Sequence, residues 1–237
     1  VRAAYRRERP SLVIHCAALS QSTACQETPL LARLLNVEVT ALLADLASEI
    51  PFFFFSTDLV FDGLQGDYLE TDEVNPRGVY AETKVAAESL VLLNPRHTVI
   101  RTSLNGGVSV RGDRAFNEQL RRAFLKGQKV GLFTDEYRNP LPAIVTARAV
   151  WEIACKGLTG IYHVAGRQRL SRFQIGQILA ARWPDVNPTI SPESLSSYRG
   201  APRSPDTTLN CSKAQAAISF SLPGLGEWLE QNPHEPF

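Results

Sequence analysis

Ser56-Thr57-Asp58-Leu59-Val60-Phe61-Asp62-Gly63, followed after an acidic loop by Val79-Tyr80-Ala81-Glu82-Thr83-Lys84, decides the reading of this chain. Ahead of it, Pro51-Phe52-Phe53-Phe54-Phe55 is a short buried apolar run that reads as a strand. That strand delivers the hydroxyls of Ser56 and Thr57 to its carboxyl end. Pro76 stands shortly before a helix that carries both Tyr80 and Lys84. The two are one helical turn apart, so both can point at one site. An ammonium there is expected to stabilise a phenolate and lower its pKa from about 10 toward neutrality. A nearby Ser or Thr hydroxyl can bond the same substrate oxygen. Together these groups move a proton to or from a carbinol or carbonyl oxygen while hydride moves on carbon. A lone Tyr-x-x-x-Lys is ordinarily a solvated helix face; the hydroxyl-bearing strand end gives this one its context.

With those residues in view, the chain resembles the extended branch of the short-chain dehydrogenase/reductase superfamily. Ser56 to Gly63 and Asn75-Pro76-Arg77-Gly78-Val79-Tyr80-Ala81-Glu82-Thr83-Lys84 resemble, within it, the dTDP-4-dehydrorhamnose reductase family. The resemblance runs from Ser11 to about Leu229 and is densest from Ser56 to Glu88. It implies an α/β fold: a doubly wound, parallel, Rossmann-like sheet with a small C-terminal α+β substrate lobe. Residues 1–104 would form a partial NAD(P)-binding domain to which 143–166 return. Residues 105–142 and 167–237 would form the lobe.

The resemblance also assigns roles. Tyr80, Lys84 and Thr57 are the expected catalytic residues. Tyr80 would give the proton, Lys84 would lower the Tyr80 pKa and hold the nicotinamide ribose, and Thr57 would bond the substrate oxygen. Ala17, Ala18, Leu19, Phe55 and Ser103, with Tyr80 and Lys84, are expected to contact NADPH or NADH. Thr57, Asp58, Leu104, Arg138 and Arg203 are expected to line the nucleotide-sugar site, with Arg203 facing a diphosphate. No metal ligand set is expected.

The 237 residues suffice for one large domain or a domain with a lobe. Apolar content of 44% and charged content of 21% are ordinary for a globular protein. A formal net charge of +1 gives no reason to expect a nucleic-acid or acidic-membrane partner. No apolar run is long enough to span a membrane. Cys16, Cys25, Cys155 and Cys211 form no C-x-x-C pair, and scattered cysteines suit a reducing cytoplasm. A homodimer stays open.

Along the chain, Val1 to Arg9 reads as a helix end broken by Pro10, without the apolar core of a signal peptide. Ser11 to Cys16 reads as a buried parallel strand ending in Cys16-Ala17-Ala18-Leu19. Small residues there let a ligand approach the backbone. In the family this is a turn over the cofactor; here His15 and Cys16 depart from its pattern. One long helix is expected from Thr28 to about Ser48, with Asn36 making a structural hydrogen bond to a neighbouring loop. A helix follows from Val79 to about Leu93, then a strand over 97–103. Leu104 to Asp113 is glycine-rich and expected to lie over the site; the family usually has an aromatic at Leu104. Phe116 to Lys126 reads as a helix, Lys129 to Phe133 as a strand, and Ala143 to Cys155 as a helix. Asp135-Glu136-Tyr137-Arg138-Asn139-Pro140 resembles a family segment between cofactor and substrate. Gly160 to Val164 reads as a strand holding His163 as a satisfied core histidine. Ser171 is the expected N-cap of a helix over 172–182. Ser212-Lys213 is expected to cap a late helix, with one more over 225–229.

No glycine-rich strand-to-helix turn is found for a pyrophosphate. Met is absent from the 237 residues. The expectation is a fragment of a longer enzyme, starting before the sheet's fourth strand. Such a chain would bind cofactor poorly and expose a sheet edge. The leading function is NAD(P)H-dependent reduction of dTDP-4-dehydro-L-rhamnose to dTDP-L-rhamnose for surface polysaccharide. The alternatives are another extended-family epimerase or reductase, or a non-catalytic regulatory subunit.

Overall fold

Four parallel strands carry the site in the computed structural model, which describes residues 1–235 and 237. They are β1 (Val13–His15), β2 (Phe52–Thr57), β3 (Thr98–Thr102) and β8 (Gly160–Val164), side by side in the order β1-β2-β3-β8. Val13 pairs with Phe52, Thr57 with Thr102, and Thr102 with Val164. The carboxyl ends of β2, β3 and β8 are therefore level, and Ser103 follows one residue beyond the partner of Thr57.

Helices cover both faces, as a doubly wound sheet requires. The phenylalanine run alternates between them. Phe52 and Phe54 pack with Val99 under α4 (Val39–Leu46) and α5 (Val79–Val91), against Ala44, Ala87 and Val91. Phe53 turns the other way, to Ile100, Val164 and the Ala149, Val150 and Ile153 face of α7 (Ala143–Cys155). Phe52, Phe53 and Phe54 are fully buried. β1 lies at the sheet edge, and its Ile14 is 39% exposed.

Between α5 and the sheet lies a buried ion pair. Arg101 of β3 donates to Glu88 of α5 at 2.7 and 3.1 Å, with both side chains almost fully enclosed. His163 is enclosed beside them, its Nδ1 3.0 Å from the Tyr68 carbonyl. Burial pulls its pKa down to about 3, so it is a satisfied neutral core histidine, as expected.

The remaining elements are α1 (Arg2–Glu8), α2 (Ser22–Glu27), α3 (Pro29–Arg33), β4 (Asn105–Gly106), α6 (Phe116–Leu125), β5 (Lys129–Phe133), β6 (Tyr137–Arg138) and β7 (Leu141–Pro142). They continue with β9 (Leu170–Ser171), α8 (Arg172–Arg182), β10 (Thr189–Glu193), α9 (Ser212–Ala217) and α10 (Leu225–Gln231). Beyond the sheet, β5 pairs in parallel with β10, and α8 packs on both. Ile175 and Leu179 of α8 meet Leu225, Trp228 and Leu229 of α10, with Leu104 against them. Ser171 caps α8 by accepting from the Gln174 N–H, while the Gln174 side chain returns to the Ser171 N–H.

Several elements depart from expectation. The long helix is not uniform: α3 and α4 are joined by a π turn, Leu34–Glu38. Thr40 Oγ1 donates to the Asn36 carbonyl at 2.7 Å and occupies it within the wider turn. The six-residue α2 has too few apolar positions to announce itself. Cys211, not Ser212, is the N-cap of α9. Asn210 Oδ1 takes the Ser212 N–H at 3.0 Å and so starts that helix from one residue further back. The glycine-rich stretch does not cover the site beyond Leu104. Gly107 and Ser109 are tied instead to Asn117 and Glu118 at the start of α6. No helix among the described residues is long and apolar enough to cross a membrane.

Candidate active site

The end of β2 turns directly into a 3₁₀ turn, Asp58–Val60, because Thr57 Oγ1 accepts the Leu59 N–H at 3.2 Å. That cap also fixes the Thr57 side chain. The loop beyond is anchored at Gly63, whose φ is +79°. A Cβ there would lie 2.9 Å from the backbone nitrogens of Pro205 and Asp206, so only glycine fits. Its carbonyl accepts the Asp206 N–H at 3.0 Å. This contact seats the 203–206 segment of the lobe against the loop after β2.

Thr57 and Tyr80 meet. The Tyr80 phenol lies beside the Thr57 hydroxyl, and although the residue keeps partial exposure, its hydroxyl end is enclosed. Lys84, one turn further along α5, is 2% exposed. Its Nζ donates to the Phe55 carbonyl at 2.6 Å and sits 3.9 Å from the Phe54 ring centre.

The expected electrostatics are reversed. Burial, and after it the charge of Asp58, push the Tyr80 phenol up, against the opposing effect of the neighbouring Thr57 hydroxyl. Burial pulls Lys84 down to about 7, opposed by Glu88 and Cys16. Lys84 is turned to the strand carbonyl and does not set the phenol's ionisation. The sequence gives the helical spacing of the two residues but not this depth.

The loop after β1 is held by Asn36. Its Oδ1 accepts the Leu19 N–H at 2.8 Å, and its Nδ2 donates to the Leu19 carbonyl and to Thr83 Oγ1, both at 3.0 Å. Thr83 in turn donates to the Tyr80 carbonyl at 2.7 Å. The loop of Ala17, Ala18 and Leu19 is thereby tied to α5, which is the structural role expected for Asn36. Cys16 of the same loop lies near Lys84: burial raises its thiol pKa and the ammonium opposes that rise.

A cavity of about 230 Å³ opens between the strand ends and the lobe. Thr57, Asp58, Ser103, Leu104, Arg138 and Arg203 all line it. Asp58 is deeply tied, accepting from Thr57 at 3.1 Å, Ser103 at 2.7 Å and Thr207 at 3.0 Å. Arg138 lies 3.6 Å from Asp58 and 3.0 Å from Glu136. Arg203 does not face the cavity as a free cation: it grips Glu136 through two hydrogen bonds, at 2.6 and 3.1 Å. Its guanidinium also lies between the rings of Phe133 and Tyr198, 5.1 and 5.3 Å from their centres. Tyr80 does not line this cavity; it lines a smaller neighbouring one of about 20 Å³ with Leu59, Ala201 and Pro202, and Lys84 lines neither.

Sequence reasoning missed several residues of the lining, among them Ser22, Thr23, Glu136, Arg172 and Tyr198. Glu136 stood inside a recognised segment, but its partner Arg203 is 67 positions away and no local spacing links them. Arg172 reads only as the first residue of α8. The cationic neighbours Arg138, Arg203 and Arg172 hold the Glu136 carboxyl below its usual range despite burial.

The family model described as the RmlD substrate binding domain matches residues 1–232. A probable low-salt glycan biosynthesis reductase, Agl14, of Haloferax volcanii is 33% identical over 70% of this chain and 57% of its own length. The dTDP-4-dehydrorhamnose reductase of Salmonella typhimurium is 33% identical over 68% of this chain and 56% of its own. The chain thus spans little more than half of these two relatives. Methionine adenosyltransferase 2 subunit beta of Xenopus laevis is 26% identical over 91% of this chain and 67% of its own. Among solved structures, a hypothetical dTDP-4-dehydrorhamnose reductase from Sulfolobus tokodaii superposes with a TM-score of 0.83 at 27% identity, covering 94% of this chain and 79% of its own.

Proposed function

This chain belongs to the family of the RmlD substrate binding domain, and from that premise we propose that it serves NAD(P)H-dependent reduction of a 4-keto nucleotide-sugar. The substrate proposed is dTDP-4-dehydro-L-rhamnose, reduced to dTDP-L-rhamnose in the cytoplasm for surface polysaccharide. The observation that carries this reading is the Thr57 hydroxyl in the cavity wall beside the enclosed Tyr80 phenol, with Lys84 one turn further along α5.

The residues present fit the nicotinamide end of such a cofactor. Ala17 and Ala18 leave the backbone after β1 open to close approach. Ser56 Oγ is buried without a partner at the adjacent strand end. The Lys84 ammonium has donors to spare beyond its bond to Phe55, suited to ribose hydroxyls. A bound nicotinamide supplies the hydride. Thr57 bonds the substrate oxygen and orients it. Tyr80 then releases the proton from its hydroxyl to that oxygen. The upward push on its pKa keeps the phenol protonated at neutral pH, the form that reduction needs.

The test is turnover by the natural protein carrying this chain, with NADH and NADPH tried separately on dTDP-4-dehydro-L-rhamnose. Oxidation of one or both cofactors, with dTDP-L-rhamnose formed, is expected. No turnover with either overturns the reading. A second reading, a regulatory homologue, rests on the likeness to methionine adenosyltransferase 2 subunit beta across most of the chain. A change in a partner enzyme's rate, without turnover of its own, is the result that selects it.

A further inference from the structure

Tyr80 and Thr57 open into different cavities. The smaller, of about 20 Å³ beside Tyr80, has room for about one water. The larger, of about 230 Å³ beside Thr57, falls short of the roughly 300 Å³ at which pockets for drug-sized ligands begin. Ser22, Leu59, Ala201 and Pro202 line both and so form the partition between them. Leu59 is fixed by the Thr57 cap, and Ser22 begins α2. Ala201 and Pro202 belong to a loop, Ser194 to Arg203, whose two ends are held by adjacent carboxylates. Asp135 accepts from Ser194 Oγ at 2.6 Å and from the Leu195 N–H at 2.9 Å. Glu136 accepts from Arg203 at 2.6 and 3.1 Å. Between these clamps, from Ser196 to Pro202, every hydrogen bond among the described residues stays inside the loop. The Tyr198 ring stands edge-on to Phe133, with centroids 5.5 Å apart. Ends held close together and a self-bonded middle are the build of an Ω-loop that opens locally at low cost.

We propose that residues 196–202 are a lid, hinged at Asp135 and Glu136, whose opening joins the Tyr80 cavity to the Thr57 cavity. This rests on the reduction reading above, which needs both hydroxyls at one substrate oxygen. With the lid closed, the partition denies Thr57 and Tyr80 a common ligand. Swung on its two clamps, the loop takes Ala201 and Pro202 out of the wall and leaves Ser22 and Leu59 in place. Open, it admits the substrate; closed, it keeps bulk water from the phenol.

The test uses the natural protein carrying this chain and involves no turnover, so a failure of the reduction reading leaves its result interpretable. Asp135 lines neither cavity, so Asp135→Ala frees one end of the loop without altering the wall. Two rates are followed. One is trypsin cleavage after Arg199, an exposed residue of the loop. The other is nitration of Tyr80 by tetranitromethane, mapped by peptide mass. Both follow the population of the open form when opening is fast relative to the reaction. Loss of the Asp135 contacts predicts that Asp135→Ala is cleaved after Arg199 about 10- to 100-fold faster than wild type. Tyr80 nitration should rise in step. Thermal unfolding checks that the variant is folded, and Ser194→Ala, with a smaller rise in both rates, decides if it is not. Unchanged cleavage after Arg199 overturns the proposal. So does faster cleavage with unchanged nitration of Tyr80, because the loop then moves without uncovering the phenol.

Discussion

Lys84 is an ammonium held almost out of water by one strand carbonyl and a phenylalanine face, and this makes its stability effect readable by pH. Burial pulls its folded pKa down to about 7, from the ordinary lysine value of 10.5. Between those values the unfolded chain holds a proton that the folded chain has lost, so this group's contribution makes stability rise with pH across the window. Below about pH 7 the cost of burying the charge is present in full. Lys84→Met is thus predicted to unfold at a higher temperature than wild type at pH 6 to 7. That advantage should shrink steadily toward about pH 10. Thermal unfolding across the range checks it, and a pH-independent difference contradicts it. At this scale the sequence was informative about identity: Thr57, Tyr80 and Lys84 were all named from one stretch. It was silent on depth, because desolvation is set by Phe54, Phe55 and the loop after β1, which spacing does not rank.

The joined helix of α3, π turn and α4 is the element that fixes the site's geometry from outside. Three side-chain hydrogen bonds from Asn36 hold Leu19 and Thr83, and Thr83 reaches the Tyr80 carbonyl. Asn36 is 1% exposed, so truncation leaves buried backbone groups unpaired. Asn36→Ala is predicted to destabilise the fold by about 2–4 kcal/mol, read by urea unfolding. A change below about 0.5 kcal/mol contradicts the clamp. The strands and α5, α7 and α8 were legible because each has a clear apolar period or cap. The π turn was not, since a buried Asn and a Thr four residues on look like an ordinary helix interior until the contacts are seen. For α9, the Asn210 side chain moved the start by one position, which is within the usual uncertainty of a helix end.

At the scale of the molecule, the site exists because lobe and sheet are locked together. Gly63 admits the backbone of Pro205 and Asp206, Asp58 accepts from Thr207, and Glu136 binds Arg203. Asp58 and Thr207 are 149 positions apart. Family resemblance could place both segments near a substrate, but only folding shows that Asp58 and Glu136 neutralise the arginines expected to be free. The parallel sheet with helices on both faces was legible from the apolar runs of β1, β2, β3 and β8, although β1 is an exposed edge strand and not the buried one expected. The cluster of Arg138, Arg172 and Arg203 around Glu136 was not, because it gathers residues from three separate segments.

The measurement that tests the central claim most directly is deuteride transfer from deuterated NAD(P)H to a 4-keto nucleotide-sugar, by wild type and Tyr80→Phe, in the natural protein carrying this chain. The account predicts transfer to C4 by wild type and a loss of about 10²- to 10⁴-fold in Tyr80→Phe, with an unchanged unfolding temperature. Transfer by Tyr80→Phe at the wild-type rate would contradict the assignment of the proton to Tyr80, and with it the site as described.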